Sequence, residues 1–167
     1  MNNVEEVIQA ISIGLIVASF LLNTNRFLKT IELCKECLFI LKDQKLSKSL
    51  YIRIYLIMLK ACNRINDNTN AMKYAEKLLQ IYRESGERLQ EYKLSVKLGK
   101  MYFHQSRYTR AIQVTEKALL IVKKLETEME KLPVTETLEP FINQLANMRR
   151  LENISRTHLG STKKLET

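Results

Sequence analysis

The stretch VKLGKMYFHQSRYTRAIQVTEKAL, residues 96–119, decides how the whole chain is read. On either side of Gln105–Arg107 its apolar residues recur with a period near 3.6, the signal of two amphipathic helices joined by a short polar turn. Gly99 sits inside the first helix, although glycine there costs about 1 kcal/mol relative to alanine. That cost is offset where two helices cross closely, because small side chains let the axes approach to the short end of the usual spacing, about 8 Å. Ala111 and Ala118 are the small residues on the facing helix, and Tyr102 and Tyr108 fill the wider gaps beside them.

Displaced by 40 residues, the segment 59–82 falls on 99–122 without a gap, so that Ala71 meets Ala111, Glu76 meets Glu116, Lys77 meets Lys117 and Leu79 meets Leu119. A further displacement of about 41 brings 27–41 onto the same template, with Thr30, Cys34 and Cys37 at the places of Ala71, Ala75 and Leu78. Three copies result, at about 7–44, 46–86 and 87–131, with polar turns at Asn23–Asn25, Asn66–Asn70 and Gln105–Arg107. Helix pairs repeated at constant spacing stack into a solenoid, since no unit buries its apolar face alone.

At Leu98, Gly99, Tyr102, Tyr108, Ala111 and Ala118 the third copy resembles the tetratricopeptide repeat family. Copy two carries the resemblance at Leu59, Ala71 and Ala75, and copy one at Ala18, Phe27 and Cys37. The long period is similar to the extended repeats of the Leu-Gly-Asn-type G-protein-signalling modulators and of long metazoan scaffold proteins. Gly14, Tyr55 and Ser95 stand where the family's signature has Trp, and the closing Pro of each repeat is absent. The resemblance implies an all-α, right-handed solenoid of three hairpins. It also implies a concave face, lined by the first helix of each pair, that binds extended peptides.

Composition agrees with a helical domain. In 167 residues there are only 4 Gly and 2 Pro, too few for the frequent turns of a sandwich or barrel. Both prolines lie in KLPVTETLEPF, 131–141, which reads as a linker over 132–141. Leu145, Met148, Leu151 and Ile154 then predict a C-terminal amphipathic helix within 142–167, ending in a frayed tail. The net charge of +9 favours acidic peptides, nucleic acid or anionic lipid as partners.

The strongest candidate site is a basic stripe. Lys93, Lys97, Lys100 and His104 fall at i, i+4, i+7 and i+11 on one helix face, and their counterparts in copy two are Arg53, Ile57, Lys60 and Arg64. Like charges so spaced destabilise a helix by a few tenths of a kcal/mol, about 0.3 per pair, so the stripe brings no stability of its own. A solvated face is the plain reading; a cationic trough for an acidic peptide is the functional one, with Leu56, Asn63, Tyr55 and Phe103 adding packing and amide contacts. Nucleic acid ranks below, because base stacking wants more exposed aromatics.

Other chemistry finds little footing. Cys34 and Cys37 form a CxxC, but zinc needs four ligands and no second pair stands at a useful spacing; with Cys62 they read as core thiols in a reducing, cytoplasmic setting. His104 and His158 lack triad partners at a recognisable spacing, Glu126, Glu128 and Glu130 read as a solvated face, and four scattered glycines build no phosphate loop. No catalytic residue, metal or cofactor is expected. The apolar run 7–22 is interrupted by Gln9, Ser12 and Ser19 and preceded by Glu5 and Glu6, which disfavours a membrane span or a signal peptide. Val7, Ile8, Ile11, Ile13, Leu15, Ile16 and Val17 surround this helix, so a second copy of the chain or further repeats are expected to pack on it. The chain reads as an interaction scaffold for a protein with an acidic segment, ahead of an RNA-binding helical repeat or a membrane-associated adaptor.

Overall fold

The computed structural model describes residues 3–42, 48–128 and 139–162. Among them every regular element is helical, as the composition requires: α1 (Asn3–Asn23), α2 (Phe27–Leu41), α3 (Lys48–Arg64), α4 (Asn68–Ser85), α5 (Arg88–His104), α6 (Tyr108–Glu128) and α7 (Glu139–Thr162). The chain divides into two compact units, Met1–Gly86 with α1 to α4 and Glu87–Thr167 with α5 to α7. In the first unit α1 packs on α2, α2 on α3 and α3 on α4, with a smaller contact between α1 and α3. In the second, α5 packs along α6 and α6 meets α7.

Three helix pairs close through one and the same turn. Asn25, Asn66 and Ser106 adopt left-handed backbone angles, with φ of 61°, 57° and 58°. In each case the following amide donates back across six residues: Arg26 N to the Leu21 carbonyl at 2.8 Å, Asp67 N to Cys62 at 2.9 Å, and Arg107 N to Tyr102 at 2.9 Å. The left-handed residue itself donates to the carbonyl three before it, Leu22, Asn63 or Phe103. This double pattern is a Schellman ending, which satisfies carbonyls that a helix terminus leaves open. The residue after it starts the second helix by accepting from Thr30, Ala71 or Ala111. At α4 the Asp67 carboxylate adds a cap, accepting from Asn70 N–H at 3.1 Å and from Asn70 Nδ2 at 2.6 Å. Those hydrogen bonds hold its carboxyl below the ordinary carboxylate range.

Small residues line the helix contacts. Thr30, Cys34, Ala71, Ala75, Ala111 and Ala118 are fully buried, and Gly99 and Tyr102 are buried on α5. Tyr92 and Val122 close around Ala118, with Val96 and Ile121 against them. Between α1 and α2 the approach is tight enough that a Cβ on Gly14 would lie 2.9 Å from Cys37 Sγ. Glycine at this place is therefore a contact requirement of the α1–α2 pair.

Two expectations change at the C-terminal end. Helix α7 begins at Glu139, so residues 139–141 are helical and Pro140 occupies the first turn, where its missing N–H breaks no helical bond. Residues 132–138 of the expected linker lie outside the described residues, as do 163–167 of the tail. Of the predicted apolar stripe, Leu151 and Ile154 are 64% and 52% exposed and Met148 is half-buried, while the side chain of Leu145 lies outside the described residues. Ala146, Arg149, Arg150 and Asn153 face α6 across a cavity of about 220 Å³, and Arg149 Nη1 pairs with Glu116 Oε1 at 3.0 Å. A small residue and a long cation let α7 approach a helix face that already carries Glu116.

Two measurements test this packing. Gly14→Ala sets an overpacking cost of about 1–3 kcal/mol against a propensity gain of about 1 kcal/mol and lowers stability in urea unfolding. In a Cys37→Ala background the same change becomes neutral or stabilising, since the clashing sulfur is gone. Ser106→Gly, at a left-handed position, raises stability by about 0.5–1 kcal/mol, whereas Ser106→Val lowers it by about 1–2 kcal/mol.

Candidate functional site

The end of the α1–α2 hairpin and the last turn of α3 enclose a cavity of about 450 Å³ lined by Leu22, Asn23, Asn25, Phe27, Lys60, Asn63 and Arg64. Its shape follows from the turn. Left-handed Asn25 swings its side chain toward α3, where its Oδ1 accepts from Arg64 Nη2 at 3.3 Å. Phe27, at the first position of α2, carries the Arg64 guanidinium over its ring, 5.5 Å from the centroid. Arg64 is thus held from two sides while its charge stays exposed. Lys60 lies one turn earlier on the same face, and no carboxylate is among the lining residues. Two cations and three side-chain amides present donors to one volume, an arrangement suited to a carboxylate or another anion.

Of the residues expected in the site, Lys60, Asn63 and Arg64 come together here. Arg53 is exposed and Leu56 half-buried further back along α3, and neither lines the cavity. Tyr55 is a correction: it is 8% exposed, its ring stacked between Tyr51 and Tyr74 at 6.5 and 6.2 Å, with the Lys77 ammonium over it at 5.8 Å. Such a ring packs the α3–α4 pair, and what it leaves uncovered lines the Lys35, Lys42 and Lys77 cavity, away from Lys60 and Arg64. In the second unit Lys93, Lys97, Lys100 and His104 are all exposed along one face of α5. Phe103 is half-buried, edge-on to His104 at 6.0 Å and to Tyr108 at 5.6 Å.

Asn23, Asn25 and Phe27 were not legible as site residues. The signal available was the pair of asparagines at the copy-one turn, but a turn asparagine is ordinarily explained by its backbone. A second basic surface was also missed: Lys35, Lys42 and Lys77 surround a shallow cavity of about 490 Å³ with Phe39 and Tyr51. Tyr51 is fixed there by donating its hydroxyl proton to the Leu41 carbonyl at 3.0 Å.

The CxxC cysteines do not face this region. Cys34, Cys37 and Cys62 are buried free thiols. Burial, with Cys37 close by, pushes the Cys34 thiol up to about 12, and burial beside Asp67 pushes Cys62 up to about 11. Among the described residues no group of three or more His, Cys, Asp or Glu side chains could hold a metal ion. No protein-family model matches the chain, and no curated protein matches it.

The raised thiols fix a direction for alkaline stability. Folded Cys34 and Cys62 keep protons that the unfolded thiols, near 9.0, give up, so this contribution is complete below pH 9 and is lost as pH rises toward about 11 and 12. Urea midpoints should fall between pH 9 and 11, and Cys34→Ala/Cys62→Ala should flatten that fall.

Proposed function

We propose that the chain is a non-enzymatic interaction scaffold that captures an acidic peptide segment. The observation that carries this reading is the cavity in which Lys60, Arg64 and three asparagine amides converge without a carboxylate among them. A peptide carboxylate there accepts from the guanidinium and the ammonium, while Asn63 and Asn23 serve the adjoining backbone amides. The α5 face with Lys93, Lys97, Lys100 and His104 is a separate cationic surface on the other unit. On this reading the three hairpins are tetratricopeptide-like repeats of a right-handed solenoid. The buried thiols suit a reducing, cytoplasmic compartment.

Exposed ion pairs contribute only about 0–1 kcal/mol each, so affinity comes from several of them and falls with salt. Fluorescence anisotropy with a labelled poly-Glu peptide tests the proposal. Lys60→Glu/Arg64→Glu should weaken binding at least about tenfold, which corresponds to about 1.4 kcal/mol. Lys97→Glu/Lys100→Glu reads the α5 face separately. Single-stranded RNA is run in parallel over a salt series: steep RNA binding with no peptide binding overturns the reading.

A further inference from the structure

Helix α1 buries Ile11, Leu15 and Ala18 and leaves Ile13, Ile16, Val17 and Phe20 at 62%, 66%, 43% and 64% exposed. These four fall at i, i+3, i+4 and i+7, one continuous stripe. From Val7 to Asn25 the chain carries no charged residue. One repeat later, 41 residues on, the corresponding positions of α3 are Ile54, Ile57, Met58 and Ala61. Three of these are fully buried and Ile57 is half-buried, in a helix packed on α2 and α4. The α1 stripe is thus a helix-packing face of the same kind, uncovered.

We infer that this stripe pairs with the same stripe of a second copy, the two α1 helices running antiparallel about a two-fold axis between Ile16 and Val17. The spacing 3-1-3 reads identically in both directions, so Ile13 of one copy meets Phe20 of the other and Ile16 meets Val17. Charge selects this orientation. The acidic first turn, Glu5 and Glu6, comes level with the other copy's hairpin tip, where Arg26 and Lys29 are exposed. A parallel pairing would set Glu6 against Glu6. The same acidic turn opposes an anionic bilayer, which wants basic residues beside an interfacial apolar face. The α1 segment is long and apolar enough to span a membrane, yet a span would have to expose the buried Ile11, Leu15 and Ala18 of a helix packed on α2 and α3. A stripe of this kind is on the order of 500 Å². Two together bury roughly 1,000 Å², just below stable specific interfaces, so the dimer is weak and forms at micromolar concentration or above. The stripe residues Ile13, Ile16, Val17 and Phe20 do not line the Lys60 and Arg64 cavity, although Leu22 and Asn23 of the same helix do.

Sedimentation equilibrium of the full chain from about 1 to 200 μM tests it, with a monomer–dimer transition expected in this range. Ile16→Glu, checked for unchanged helical circular dichroism, should raise the dimer Kd at least about a hundredfold, because two unpaired charges would be desolvated. Glu6→Lys should weaken the dimer severalfold, and Glu6→Lys/Arg26→Glu should restore it. Register is read by oxidation. Ile13→Cys mixed with Phe20→Cys forms a disulfide between copies. Ile13→Cys alone does not, since its two sites lie seven residues apart along the axis, about 10 Å, beyond disulfide reach. A monomer at 200 μM, self-crosslinking of Ile13→Cys as fast as the mixed pair, or flotation of the wild type with phosphatidylserine vesicles that Ile16→Glu abolishes each overturns the inference.

Discussion

Everything in this molecule is organised around a turn that needs one residue in the left-handed region. At Asn25, Asn66 and Ser106 the backbone reverses within three residues, and the returning amide ties the second helix to a carbonyl near the end of the first. Asparagine tolerates these angles better than most side chains, which explains two of the three choices; serine at the third pays for the same geometry with some strain. Because the turn fixes where the second helix starts, it also fixes which of its residues face back. Thr30, Ala71 and Ala111 are the first amides to bond into the turn, and all three are fully buried.

The same turn makes the candidate site. A left-handed asparagine projects sideways from the hairpin tip, and at Asn25 this brings an amide oxygen to Arg64. Phe27, one residue into α2, supplies the ring under that guanidinium. An arginine held by an amide and an aromatic face loses less freedom on meeting an anion than one waving in solvent. The equivalent tip of the α3–α4 pair uses its polar residues differently, with Asp67 turned inward to cap α4. Nearly identical turns therefore carry opposite charges, Arg26 and Arg107 at the α1–α2 and α5–α6 tips and Asp67 at the α3–α4 tip. The three turns share a frame while their surfaces differ.

Charge and apolarity are kept apart in the first unit. Basic side chains gather on α3 and around the Lys35, Lys42 and Lys77 cavity, whereas α1 is neutral between its acidic first turn and Arg26. Burial of the three thiols follows from the same economy of volume: a cysteine is small enough for a close helix crossing, and once desolvated it holds its proton.

Periodicity and the forty-residue spacing determined the helices, the three hairpins and the burial of Ala71, Ala111 and Ala118, because these depend on which residues lie three and four apart. Lys60 and Arg64 were legible as a basic face for the same reason, with Asn63 as an amide beside them. What the chain could not disclose alone was which side chains from different helices meet. Tyr55 looked available and is enclosed by two tyrosines and a lysine; Asn25 and Phe27 looked structural and complete a cationic cavity; Leu151 and Ile154 looked like a packing face and lie exposed. Local spacing settles the face a residue occupies on its own helix, whereas the neighbour opposite that face is set by how helices cross, and crossing is decided by volumes and turn angles summed over distant segments.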